Sequence, residues 1–84
     1  MTDKLHQLQT VCHRVQMEYD ELAGRTLAAM NAVQHYEKLS QNQRNYLEEQ
    51  VAAMLLYKRA LYKRIVDLKR VIRQLKKGLG IEVR

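Results

Sequence analysis

Proline, tryptophan and phenylalanine are missing from this 84-residue chain, and glycine and cysteine are scarce, at three and one. What remains is dominated by Ala, Leu, Gln, Glu, Lys and Arg, all good helix formers, and strand formers never cluster in alternating runs. A single cysteine, Cys12, cannot close an internal disulfide, which fits a reducing intracellular compartment, cytoplasmic or nuclear. The Met-Thr-Asp-Lys start has none of the apolar core that marks a secretory signal. The longest apolar run, Val51 to Tyr57, falls far short of the ~18 residues that a bilayer-crossing helix needs. The length allows one domain at most. A helix or hairpin of this size buries little apolar surface unaided, so the expectation is that a second chain completes the fold.

Charge is unevenly placed. Residues 58–84 carry ten Lys/Arg against Asp67 and Glu82, whereas residues 1–57 carry five against seven acids. A faintly acidic first two-thirds is thus joined to a strongly cationic end.

Apolar residues recur at three-four spacing from the N-terminus: Leu5, Leu8, Cys12, Val15, Tyr19, Leu22, then Ala29, Val33 and Tyr36, with Thr26 the one polar member. This is the a/d seam of a coiled coil. His6, Arg14, Glu18 and Glu21 lie on the flanks, as a solvated face requires. The seam fails at Ser40-Gln41-Asn42-Gln43-Arg44-Asn45 and resumes in a shifted frame at Leu47, Val51, Met54, Leu61, Ile65, Leu68, Ile72, Leu75 and Leu79, interrupted by Lys58. Asn45 followed by Glu48 reads as an N-cap with a carboxylate three residues on, and Glu49 adds charge suited to a helix start. Lys76 and Lys77 suit a last turn, and Gly78 is placed for a C-cap. Ile81-Glu82-Val83-Arg84 alternates apolar and charged residues and reads as an extended or frayed tail, or as the first strand of something beyond; the abrupt stop points to a trimmed chain.

The broken seam allows two architectures. In one, residues 40–45 turn and two helices fold back as an antiparallel hairpin. In the other, one helix runs through as a continuous coiled-coil rod with a stutter. The lack of Gly or Pro in the middle favours the rod. The paired polar layers, the cap at Asn45 and the matched half lengths favour the hairpin, which is the expectation adopted: helix 1 over about 3–39, a polar turn at 40–45, a basic helix 2 over about 46–77 and a short tail at 78–84.

On the second helix, Tyr57, Leu61, Ile65, Leu68, Ile72 and Leu75 fall on one arc, and Leu55, Tyr62 and Val66 form a smaller satellite on another side. A hairpin partner covers one surface, so the remainder invites a further helical partner. Gly24, beside Ala23, Ala28, Ala29 and Ala32, reads as a helix interior weakened by roughly 1 kcal/mol relative to Ala, with a close-approach patch as the sharper alternative.

Lys58, Arg59, Lys63, Lys69, Arg70, Arg73, Lys76 and Lys77 are expected within one arc roughly opposite the main apolar stripe, with Arg64 at the stripe's edge. Such a face can dock an acidic protein surface, follow nucleic-acid phosphates with salt-dependent affinity, lie on an anionic membrane, or keep an oligomer soluble. Basic-zipper proteins place their basic region before the zipper; here it follows the heptads, which argues against sequence-specific DNA reading. Tyr57 and Tyr62 interleave with the cations and could stack on bases, but their helical spacing beside Leu56 and Leu61 reads as packing.

The repeats Leu56-Tyr57-Lys58-Arg59 and Leu61-Tyr62-Lys63-Arg64 loosely resemble the Leu-Tyr-Arg motif of small mitochondrial helical proteins that serve respiratory complexes and iron–sulfur assembly. Lys stands in place of the motif's Arg in both copies, the motif lies mid-chain, and its Phe is missing, so no residue role follows from it.

Catalytic chemistry finds little support. Thr2, Thr10, Thr26 and Ser40 lack a glycine-rich elbow. Cys12 and His13 point about 100° apart on a helix, and Cys12 falls on the seam as a core thiol. His6 and His13 lie two turns apart, roughly 10 Å, too far for one metal. Glu48-Glu49 suits a helix start. The sequence therefore reads as a non-enzymatic assembly or adaptor subunit without cofactor, metal or small-molecule substrate. Association is expected through Leu8, Val15, Leu22, Leu61, Ile65, Leu68, Ile72 and Leu75, with a homo- or hetero-oligomeric helical partner. Anionic contact is expected through Lys63, Lys69, Arg70, Arg73, Lys76 and Lys77. The alternative is a dimeric nucleic-acid-binding protein that contacts phosphates through residues 58–77; membrane-surface contact ranks below both.

Overall fold

A computed structural model of the chain describes residues 2–35 and 37–80. Two helices, α1 (Thr2–His35) and α2 (Gln41–Gly78), run antiparallel as a hairpin about 59 × 20 × 14 Å. The chain is all-α, as expected, and the continuous rod is excluded. Contacts across the pair set the direction: Arg44 Nη1 donates to the Val33 carbonyl near the turn, Tyr57 donates its hydroxyl to Glu18 further along, and Tyr62 stands beside Tyr19. Position numbers fall on α2 as they rise on α1.

Both heptad frames face this shared interface. Leu5, Val15, Leu22 and Thr26 of α1 and Leu61 and Ile65 of α2 are buried, and every other described member of the two series is half-buried. Val15, Leu22, Leu61 and Ile65 make the core, with Tyr19, Met54 and Leu68 packed against it. Leu61, 1 % exposed, is its centre; burying one such side chain contributes roughly 1.5–3 kcal/mol. Thr26 holds a seam position because its Oγ1 donates to the Leu22 carbonyl at 2.7 Å, so no polar atom is stranded. Tyr36, the last expected member of the first seam, and the tail residues 81–84 lie outside the described residues.

The turn differs from the expected one. α1 ends at His35, and α2 starts at Gln41, five residues before the expected start. Ser40, not Asn45, is the N-cap: its backbone is extended (φ −63°, ψ 160°) and its Oγ accepts from the Gln43 N–H at 3.2 Å. The polar run 41–45 is therefore the solvated opening of α2. Every residue of it except the half-buried Arg44 is exposed, and Gln41 donates to Asn45 one turn on, at 2.9 Å. The far end is also re-assigned. Gly78 is still helical, Leu79 is the C-cap with its N–H reaching the Leu75 carbonyl, and Gly80 takes the positive φ of 74° that lets the chain leave the helix.

Candidate interaction surface

The interface between the helices leaves much apolar surface in water. Among the described residues five hydrophobic side chains are buried, whereas ten large ones are exposed: Met17, Leu27, Tyr46, Leu55, Leu56 and Tyr62 among them. The exposure concentrates on α2. Its segment 51–57, Val-Ala-Ala-Met-Leu-Leu-Tyr, has no charge, and only Val51 and Met54 turn inward. A helix apolar on every side is a buried helix, so this segment is under-covered in the lone hairpin.

The residues expected to associate fall into two groups. Val15, Leu22, Leu61 and Ile65 are covered within the chain itself. Leu8, Leu68, Ile72 and Leu75 are half-buried, each with an edge still open. Tyr57, expected on the main stripe, sits instead at its rim, exposed, with its hydroxyl on Glu18. The satellite Leu55, Tyr62 and Val66 faces solvent at 45 %, 56 % and 49 % exposure.

The cations divide likewise. Lys63, Lys69, Arg70, Arg73 and Lys77 are exposed, and Lys76 is half-buried. Lys58 and Lys76 correct the expected arc: each borders the seam instead of opposing it. Lys58 Nζ lies 5.6 Å from the centre of the Tyr19 ring, which explains how a lysine occupies the interrupted heptad position: its stem packs and its charge rests on an aromatic face. Asp67, the acid within 58–77, is held by Arg70 at 2.8 Å. Arg70 and Asp67 both remain largely in water, where such a pair adds little stability.

Tyr19 is the residue that sequence reasoning under-read. It counted as a seam member, yet its ring meets Tyr62 at 6.3 Å between centroids and 45° between planes. Together with Leu55, Lys58, Arg59 and Tyr62 it lines an open groove of about 390 Å³ on the flank of the hairpin. Further along the same flank, Lys69, Ile72, Arg73 and Lys76 line a second groove of about 220 Å³. The available signal was Lys58 at a heptad position, which demanded a partner on α1. Cys12 is half-buried on the seam, and among the described residues no three of His, Cys, Asp and Glu gather where a metal ion could be held. Nor is any described helix long and apolar enough to cross a membrane.

A family model described as Sequestin matches residues 9–67. The chain belongs to the Sequestin family. The matched stretch takes in both sides of the core, the turn, and every residue lining the Tyr19 groove; it stops short of the second groove. No curated protein matches the chain. No solved structure matches it either.

Proposed function

We propose that the chain is a non-enzymatic assembly or adaptor module that holds a helical protein partner. The observation that carries this reading is the excess of exposed over buried large apolar side chains among the described residues, six of the ten on α2 and three of those consecutive in its uncharged segment 51–57. An elongated two-helix hairpin has little core of its own, and covering such a surface is what a partner does. The name Sequestin, which suggests holding another molecule, agrees with that role. In this reading Val15, Leu22, Leu61 and Ile65 keep the hairpin shut, while the open edges of Leu8, Leu68, Ile72 and Leu75 meet the partner. Lys63, Lys69, Arg70, Arg73, Lys76 and Lys77 contact an anionic surface.

The test is gentle isolation of the tagged chain from cells that make it, followed by sedimentation of the intact eluate. The expected species is protein only and much heavier than the 10.0 kDa chain. A folded lone monomer would overturn the reading. A second reading, binding of nucleic acid through residues 58–77, is favoured by nine Lys/Arg against one acid in that stretch. It predicts nucleic acid in the eluate and an affinity that falls steeply with salt.

A further inference from the structure

Six residues of α2 follow one another along a single flank at spacings of seven, four, three, four and three: Leu55, Tyr62, Val66, Lys69, Arg73 and Lys76. Three-four spacing keeps side chains on one face of a helix. Both flank grooves lie on this strip, the first around Leu55 and Tyr62, the second around Lys69, Arg73 and Lys76. The strip is about 32 Å long at the helical rise, and its character changes halfway. From 55 to 66 its members Leu55, Tyr62 and Val66 are apolar and exposed, with Lys58 and Arg59 bordering them in the first groove; from 69 to 76 its members are cationic.

We infer that this strip docks an amphipathic helix of another protein, apolar along the half that covers Leu55, Tyr62 and Val66 and acidic along the half that meets Lys69, Arg73 and Lys76. The inference rests on the assembly reading above and names the partner's chemistry.

Charge complementarity selects this occupant. The hairpin does not neutralise its own cations: α1 residues 3–19, which lie opposite, hold Asp3 and Glu18 against Lys4 and Arg14, and Glu18 already accepts from Tyr57. A second copy of the chain brings the same net +6; seating α2 on α2 would set cation against cation if the two run parallel, and cations against the apolar side chains if they run antiparallel. Nucleic acid would satisfy the cationic half but leave the three apolar side chains in water. A lipid surface wants a broad, continuous oily face; here Lys58 and Arg59 line the same groove as Leu55 and Tyr62. An amphipathic helix laid lengthwise satisfies both halves, with apolar anchors giving affinity and carboxylates fixing the register.

The probe is a synthetic helix of roughly 22 residues, long enough to span the strip. One half carries Leu at heptad a and d positions, and the other carries Glu on the same face. It is titrated into the full chain beside a scrambled peptide of identical composition, a version with Lys for Glu, single-stranded RNA, and vesicles containing phosphatidylserine. The expected result is saturable binding of the acidic amphipathic peptide alone. Val66→Asp and Arg73→Glu should each weaken it at least about tenfold, a loss typical of a central interface contact. Both positions are exposed, so the helical circular dichroism of the variants should match that of the parent chain. Equal binding of the scrambled peptide, preference for RNA or vesicles, no binding of the peptide, or self-association dissolved by Val66→Asp would each overturn the assignment. A homodimer or an unresponsive chain would still leave the assembly reading to its own test, since that reading falls only with a lone monomer.

Discussion

Thr26 is a polar residue at the most enclosed kind of position, 2 % exposed on the seam. Its hydroxyl is satisfied by the Leu22 carbonyl one turn back, a carbonyl that the helix ladder can also serve. Thr26→Val removes the hydroxyl and leaves no orphaned group, so the thermal midpoint should hold or rise by a few degrees. Leu61→Ala is the opposite case. It empties the centre of a small core and should cost about 2–5 kcal/mol, enough to abolish a cooperative melt by circular dichroism. Gly24 is exposed, and a Cβ built there meets nothing within 4 Å. Gly24→Ala should therefore stabilise the hairpin by about 0.5–1 kcal/mol through helix propensity alone; a fall in stability would mean that another backbone packs on that spot. At this scale the sequence was legible wherever spacing decided the matter. All described members of both heptad series turn inward, because a side chain's direction on a helix follows from its position. Tyr57 was not legible: it falls on the stripe by angle, but its hydroxyl is drawn to a carboxylate at the rim.

The second helix, α2, owes its bounds to a few polar contacts. Ser40→Ala removes the cap of α2 and should cost about 1 kcal/mol, whereas Asn45→Ala, in the exposed second turn, should stay within about 0.5 kcal/mol. Equal losses in chemical denaturation would restore the turn to residues 40–45. The two-helix fold could be read from the seam that breaks and restarts, but the position of the break could not. A polar run with no apolar member looks the same whether it forms a loop or the solvated first turns of a helix. The arbiter was Ser40, whose capping geometry spacing does not reveal. The flank was half-legible in the same way. Leu55, Tyr62 and Val66 stood out as a satellite, while the groove that Leu55 and Tyr62 line also needs Tyr19 from the other helix. Pairing between helices depends on register, and register was open until the turn was placed.

As a whole the hairpin is a short rod, with a radius of gyration of 18.3 Å, where a compact globule of this length would have roughly 12 Å. Small-angle scattering of dilute protein should return the larger value if one hairpin stands alone, and a value that moves with concentration if hairpins associate. The same shape has a mechanical consequence. Because the chain doubles back near Ser40, its beginning and the end of α2 emerge side by side at one pole. A pull applied between those two points does not shear the seam all at once. It peels the helices apart one layer at a time, starting at the cationic pole and reaching the Arg44 latch last, as a zip opens toward its stop.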